Sequence, residues 1–226
     1  MAGTLCEICN NTATQRCSAC SQSRYCTRDC QKSGWPKHKL LCGSAKAIRL
    51  EDRPTPASPN TFFRRAILFE PAESKPRFVW LKFNLQEVDG RYEEVPDLTE
   101  HQIADDKEDI DHRRIHNNPV LGKQLHHTIR VRYRDNFLAD GSKPNKAANP
   151  LKPKIDWRGP MVCYAMKGLS ATLKESDDLD LSDFPFIVQW FKVFGDSRPL
   201  QTSLLTDADW ERMPPAERAD GVAVKI

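Results

Sequence analysis

A chain of 226 residues, 39% hydrophobic and 29% charged, has room for one ordinary domain and a small appendage. No apolar run approaches the ~20 residues that span a bilayer, so no membrane partner is predicted. The net charge of +3 is too small to create a nucleic-acid field, although it is unevenly placed: residues 1–50 hold eight Lys or Arg against Glu7 and Asp29, and the remainder is acidic.

Residues 1–45 are dominated by cysteine. Cys6, Cys9, Cys17, Cys20, Cys26, Cys30 and Cys42 are seven of the eight cysteines, and His38 falls among them. The opening residues have no basic or apolar leader pattern, and Ala2 stands where N-myristoylation needs glycine; a reducing compartment, nuclear or cytoplasmic, is therefore expected. Disulfides need an oxidising one, so metal is the better reading. Cys6-Glu7-Ile8-Cys9 and Cys17-Ser18-Ala19-Cys20 have the turn spacing that brings two sulfurs onto one tetrahedral ion. Cys26 and Cys30, like His38 and Cys42, are four apart, which is the spacing of one helix face. Thr27 is placed to cap a short helix with Asp29 in its first turn. Pro36 suits the opening of a second helix that stops at Gly43. Eight ligands make two closed tetrahedral sites with no position left for water, so two structural Zn²⁺ ions are predicted.

Energetics point the same way. The sizeable apolar residues of this stretch are Leu5, Ile8, Tyr25, Trp35, Leu40 and Leu41, too few for a self-sufficient core. Structural zinc supplies on the order of 10–16 kcal/mol per site in small peptides, so the module should fold with metal and unfold without it.

Residues 46–60 read as a proline-rich linker, with three prolines between Glu51 and Asn60. Residues 61–226 read as an α+β domain. Ala66–Phe69, Phe78–Leu85, Thr128–Tyr133 and Met161–Met166 have the apolar or alternating pattern of strands. Residues 183–194 suit a buried helix with Asp183 as cap and Pro185 in its first turn, with a strand as the alternative. The charged stretch 97–118 reads as partly helical, and 139–154 as a loop.

The ligand spacing, together with Tyr25-Cys26, Gln31 and Trp35, resembles a MYND-type zinc finger. A RING finger places its His earlier, a LIM domain needs a longer first gap, and a HIT finger has fewer residues before the His. The resemblance covers residues 6–42, while Phe78–Lys82 and Arg134–Leu138 loosely resemble regions that follow MYND fingers in uncharacterised fungal proteins. It implies interleaved sites, with Cys6, Cys9, Cys26 and Cys30 on one ion and Cys17, Cys20, His38 and Cys42 on the other. It also implies a protein-interaction adaptor, often a transcriptional regulator, that docks proline-rich segments of PxLxP type. Gln31 and Trp35, one helical turn apart, occupy the peptide-binding positions.

Other chemistry is weaker. The basic residues are dispersed and lack the geometry of base-reading fingers, which argues against direct nucleic-acid binding. In SET-type lysine methyltransferases with a MYND finger, catalytic sequence precedes the finger, whereas five residues precede Cys6; the chain is expected not to be an enzyme. The alternatives are catalysis within residues 61–226 or a DNA-associated regulator. Cys163 reads as a core thiol, and Arg64-Arg65 and Arg113-Arg114 as pairs that flank strands or face solvent. Asp177, Asp178, Asp180 and Asp183 read as a solvated acidic stretch. His126 and His127 are adjacent before a strand, so alternation should point them to opposite faces and keep them from sharing an ion. His101, His112 and His116 read as surface groups.

Overall fold

The computed structural model describes residues 5–9, 11–88, 90–103, 110–118, 122–168 and 175–194. The chain opens with a two-stranded ribbon, β1 (Gln15–Arg16) against β2 (Arg24–Tyr25), followed by helix α1 (Arg28–Ala47). Thr27 caps α1 as its position suggests: its hydroxyl accepts from Cys30 N at 3.2 Å, and Asp29 lies in the positive first turn. Two short helices were expected here; one continuous helix forms, passing through both Pro36 and Gly43. A proline inside a helix removes a hydrogen bond and crowds the carbonyl four residues back. Cys30 lies before Pro36 and His38 and Cys42 after, so one helix carries ligands of both sites. Gly34 is where α1 meets the turn before β1: a Cβ there would lie 2.8 Å from Ile8 Cδ1 and 3.2 Å from Tyr25 Cε1, so any larger residue requires the Ile8 side chain to move aside.

The body is a seven-stranded antiparallel sheet built from β3 (Thr61–Phe69), β4 (Arg77–Val88), β5 (Arg91–Pro96), β6 (Ile110–Asn118), β7 (Lys123–Arg134), β8 (Met161–Lys167) and β9 (Ser176–Asp177). The order is β5-β4-β3-β8-β7-β6, with β9 pairing the end of β8. The four apolar segments singled out from sequence lie in β3, β4, β7 and β8. The α+β expectation holds in part: among the described residues the body has a single α-helix, α2 (Phe184–Val193), so it is mostly β. Within 97–118 the helical content is one 3-10 turn, Thr99–His101, and residues 110–118 are strand; residues 104–109 and 195–226 lie outside the described ones.

Both faces of the sheet centre are buried, which explains why β3 and β8 read as apolar runs rather than alternating strands. Ile67, Phe69, Met161, Cys163 and Ala165 point to one face; Ala66, Leu68, Val162, Tyr164 and Met166 point to the other. On the second face Leu98 and Ile103 close the layer. On the first, α2 and the loop residue Trp157 build an aromatic cluster in which Trp157 lies 5.5 Å from Trp190 and 5.8 Å from Phe191, centroid to centroid. Asn145 ties the 139–154 loop down, donating to Phe69 O at 3.0 Å and Gly159 O at 2.7 Å.

The cysteine-rich module packs on that same first face and shares one core with it. Phe78 N donates to Ser44 Oγ at 2.6 Å, and Lys123 Nζ donates to Cys6 O at 2.6 Å. Between module and sheet lies Arg65, 1% exposed and inside β3, which corrects the expectation that its pair flanks a strand or faces solvent. Its guanidinium donates to Leu179 O, Gln22 Oε1 and Ile48 O, and stacks 4.6 Å from the Phe78 ring. Segment 48–60 is anchored through Arg53, which pairs with Asp178 at 2.6 Å and covers Trp80 at 5.3 Å.

Candidate metal centre

The eight predicted ligands converge in two groups. Cys6 and Cys9 come from the turn before β1, Cys26 directly follows β2, and Cys30 is in the first turn of α1. The 26/30 pair therefore straddles the helix cap instead of lying on one helical face. Cys9 Sγ is 3.4 Å from Cys26 Sγ and 3.9 Å from Cys30 Sγ, and Cys26 and Cys30 are 3.5 Å apart. The second group joins Cys17 and Cys20, from the ribbon turn, to His38 and Cys42, which lie one turn apart on α1. Cys17 Sγ lies 3.9 Å from Cys42 Sγ and 3.3 Å from His38 Nε2, with Cys20 Sγ at 3.7 Å from the same nitrogen.

These separations fit the metal. With Zn–S near 2.3 Å, the edge of a tetrahedron is about 3.8 Å. A tight ribbon turn makes the fit: Ser21, at φ +59°, bends back so that its N–H donates to Cys17 O at 2.8 Å.

Electrostatics require the same cation. Burial opposes ionisation of Cys6, but the backbone N–H groups of Cys9, Ile8 and Cys26 outweigh it and bring the thiol down to about 6. Hydrogen bonding with Cys9 and Cys30 pushes Cys26 up to about 12, and burial beside Cys20 does the same to Cys42. Four such groups in one small volume all ionise near neutral pH only around a positive ion. Burial lowers the His38 pKa, favouring the neutral imidazole that a metal needs. Its other nitrogen, Nδ1, meets the fully buried Ser23 Oγ at 2.8 Å, which fixes the ring with Nε2 toward the sulfurs. Ser23 was not legible beforehand, because its contact crosses from the ribbon to α1 and no spacing marks it.

The family model of the MYND finger matches residues 6–42. Residues 6–42 are a MYND finger. Its two closed, all-protein ligand sets make both zinc ions structural. The finger is similar to that of a zinc finger MYND domain-containing protein 10 homolog from Drosophila melanogaster, 46% identical over 37 residues, covering 16% of this chain and 8% of that one. The SET domain and MYND-type zinc finger protein 6 of Schizosaccharomyces pombe is 46% identical over 46 residues, 20% of this chain and 10% of its own. The Egl nine homolog 1 of Mus musculus is 40% identical over 55 residues, 24% of this chain and 13% of its own. The chain thus spans about a tenth of the length of the curated relatives it matches. No solved structure matches it.

The two residues expected to bind peptide lie on the outer side of α1 in the MYND finger. Trp35 is 46% exposed, and its ring tilts over the ligand His38 at 5.6 Å between centroids. Gln31, one turn earlier, is half-buried. Cys163 lies outside the finger in the sheet core, fully buried, with its thiol held well above the ordinary range by burial. The acidic stretch is solvated only in part: Asp180 is exposed, whereas Asp178 takes Arg53 and the Arg65 backbone N–H, and Asp183 is 2% exposed. His101 is half-buried and His116 partly so, both with lowered pKa from desolvation; the His112 side chain lies outside the described residues.

Proposed function

We propose that the protein is a non-enzymatic interaction adaptor whose MYND finger docks an extended proline-rich segment through Trp35 and Gln31, in a nuclear or cytoplasmic setting such as transcriptional regulation. The observation that carries this reading is the placement of Trp35. One side of its indole rests on His38, whose ring is fixed by zinc and Ser23, while nearly half of the side chain faces solvent. A large apolar ring held rigid and left uncovered is a ready anchor, because little entropy remains to be lost when a ligand covers it. A polyproline helix is likewise preformed and offers its ring edges to such a surface. Gln31, one turn along the same helix, supplies an amide that can donate to a peptide carbonyl and accept from a peptide N–H. The finger brings no open metal position and no nucleophile to this surface, which supports binding over catalysis there.

Titration of the intact chain with a PxLxP-type peptide tests the reading. Trp35→Ala should weaken binding by at least tenfold, the loss of a central aromatic anchor being worth about 2 kcal/mol or more. Zinc content should stay at two per finger. Unchanged affinity at unchanged zinc content would overturn the docking role. A steep salt dependence of binding to an oligonucleotide would favour a nucleic-acid partner instead.

A further inference from the structure

His126, His127 and Asp177 form a third cluster of metal-ligating groups, remote in sequence from the finger. Strand alternation should separate the two histidines, and the register shows why it does not. Ile115 of β6 faces Ile129 of β7, yet Asn117 faces Gln124, so β7 carries surplus residues between Gln124 and Ile129. The strand bulges there. A bulge frees successive side chains from the alternation and re-aims them. From His127 onward β7 keeps regular register with β8, so the residue released is His126, whose Nε2 comes within 3.2 Å of His127 Nδ1. β9 brings Asp177 opposite Ala165, on the same sheet face as His127, with Oδ2 at 3.9 Å from His127 Nδ1 and 4.0 Å from His126 Nε2.

The surroundings are those of a built site. His127 is 2% exposed, and its second nitrogen, Nε2, lies 3.1 Å from Asp183 Oδ1, at ion-pair distance though off the line of a well-aligned hydrogen bond. Asp183 is itself held by the Asp180 N–H, which donates to its other oxygen at 2.7 Å. A buried carboxylate behind one imidazole nitrogen places the proton there and turns the lone pair of the other outward, the arrangement that orients histidine ligands in metal sites. Asp177 is oriented too: Oδ1 accepts from Asp178 N at 2.9 Å, leaving Oδ2 toward the histidines.

We propose that His127 Nδ1, His126 Nε2 and Asp177 Oδ2 bind one divalent transition-metal ion, Zn²⁺ or a close relative, at the bulge of β7. Metal–nitrogen and metal–oxygen bonds near 2.1 Å give a tetrahedral edge of about 3.4 Å. The histidine pair already meets it, and the partly exposed Asp177 closes the remaining half ångström or so by a small side-chain rotation. Three protein donors leave at least one coordination position open beside His126. Unlike the two finger sites, this one is therefore able to take water or an external carboxylate. Two imidazoles and one carboxylate, with no sulfur, select for zinc, cobalt, nickel or iron over calcium and magnesium.

Metal analysis of the intact chain after equilibration with excess Zn²⁺ and gel filtration tests this site. Native protein should retain three ions per chain. His126→Ala, which alters an exposed side chain outside the core, should retain two, and Asp177→Asn likewise. Substituting Co²⁺ for zinc gives an independent readout, since sulfur ligation produces thiolate-to-metal charge-transfer bands and this site would not. His126→Ala should remove only weak visible bands lacking that charge transfer, while intact finger bands report that the chain is still folded. Two ions in the native protein, or a third ion that survives both substitutions, would overturn the assignment; the first outcome would leave His127 and Asp183 as an ion pair alone.

Discussion

In the MYND finger the side chains with no solvent exposure include Cys6, Tyr25 and Leu41; in the sheet they include Ile67, Phe69, Phe83, Ile129, Val131 and Tyr164, joined by Phe191 of α2. One interior is assembled around donor atoms, the other around hydrocarbon. The finger's short ribbon and single helix bury too little apolar surface to offset the entropy of ordering the chain, so coordination bonds supply the difference. The sheet, buried on both faces, needs no such help. The two interiors nevertheless join into one apolar cluster across the first sheet face. A unit built on metal ligands and one built on hydrocarbon thus share a boundary across which a change in either can be felt by the other.

Metal removal should have the largest effect. A chelator should withdraw on the order of 10 kcal/mol or more per site from the finger. Amide protection along α1 should collapse, while the near-ultraviolet signal of the Trp157–Trp190–Phe191 cluster should persist. Loss of both in one transition would show that the sheet depends on the finger as a lid, and would break the comparison.

Phe191→Ala comes next, with an expected cost of about 3–5 kcal/mol. Phe191 is fully buried and touches Phe69, Trp157 and Trp190, so its removal leaves a cavity that the sheet and α2 cannot both collapse to fill. The denaturation midpoint of the body should fall while zinc content stays unchanged.

What could be read beforehand divides along the same line. The eight ligands of the finger were legible because coordination ties chemistry to spacing, while their pairing into two interleaved sites came from the resemblance to MYND fingers and not from the intervals. Even there, α1 runs through Pro36 and Gly43 against the local breaker signals. In the body, the strands of β3, β4, β7 and β8 could be found from apolar pattern, and α2 from Asp183 and Pro185, although Asp183 spends its carboxylate on the Asp180 N–H and His127 rather than on a helix cap. Residues 110–118 were misread because the charges of β6 lie on an edge strand, where one side meets solvent and alternation is weak. The burial of Arg65 and the meeting of His126 with His127 had no local sign. Each depends on a register or a packing partner more than a hundred residues away or on a bulge, and neither leaves a pattern within a window of the chain.

Arg65→Met should have the smallest effect of the three and sharpens the boundary itself. Methionine keeps the apolar stem against Phe78 but removes the donors to Leu179 O, Ile48 O and Gln22 Oε1. Stranding buried acceptors is costly, while relief from holding a charge out of water offsets part of that loss, leaving a net destabilisation of about 1–3 kcal/mol. Both zinc ions should remain, because no ligand contacts Arg65. The informative quantity is the coupling: the drop in body stability caused by chelation should be smaller in Arg65→Met than in the native protein, since the guanidinium links the ribbon residue Gln22 and the end of α1 to the segment that carries β9. A double-mutant cycle with Phe78→Leu, read by chemical denaturation with and without chelator, separates the arginine's hydrogen bonds from its stacking. An unchanged chelation effect would place the coupling in apolar contact alone, with Arg65 serving only to satisfy the carbonyls around it.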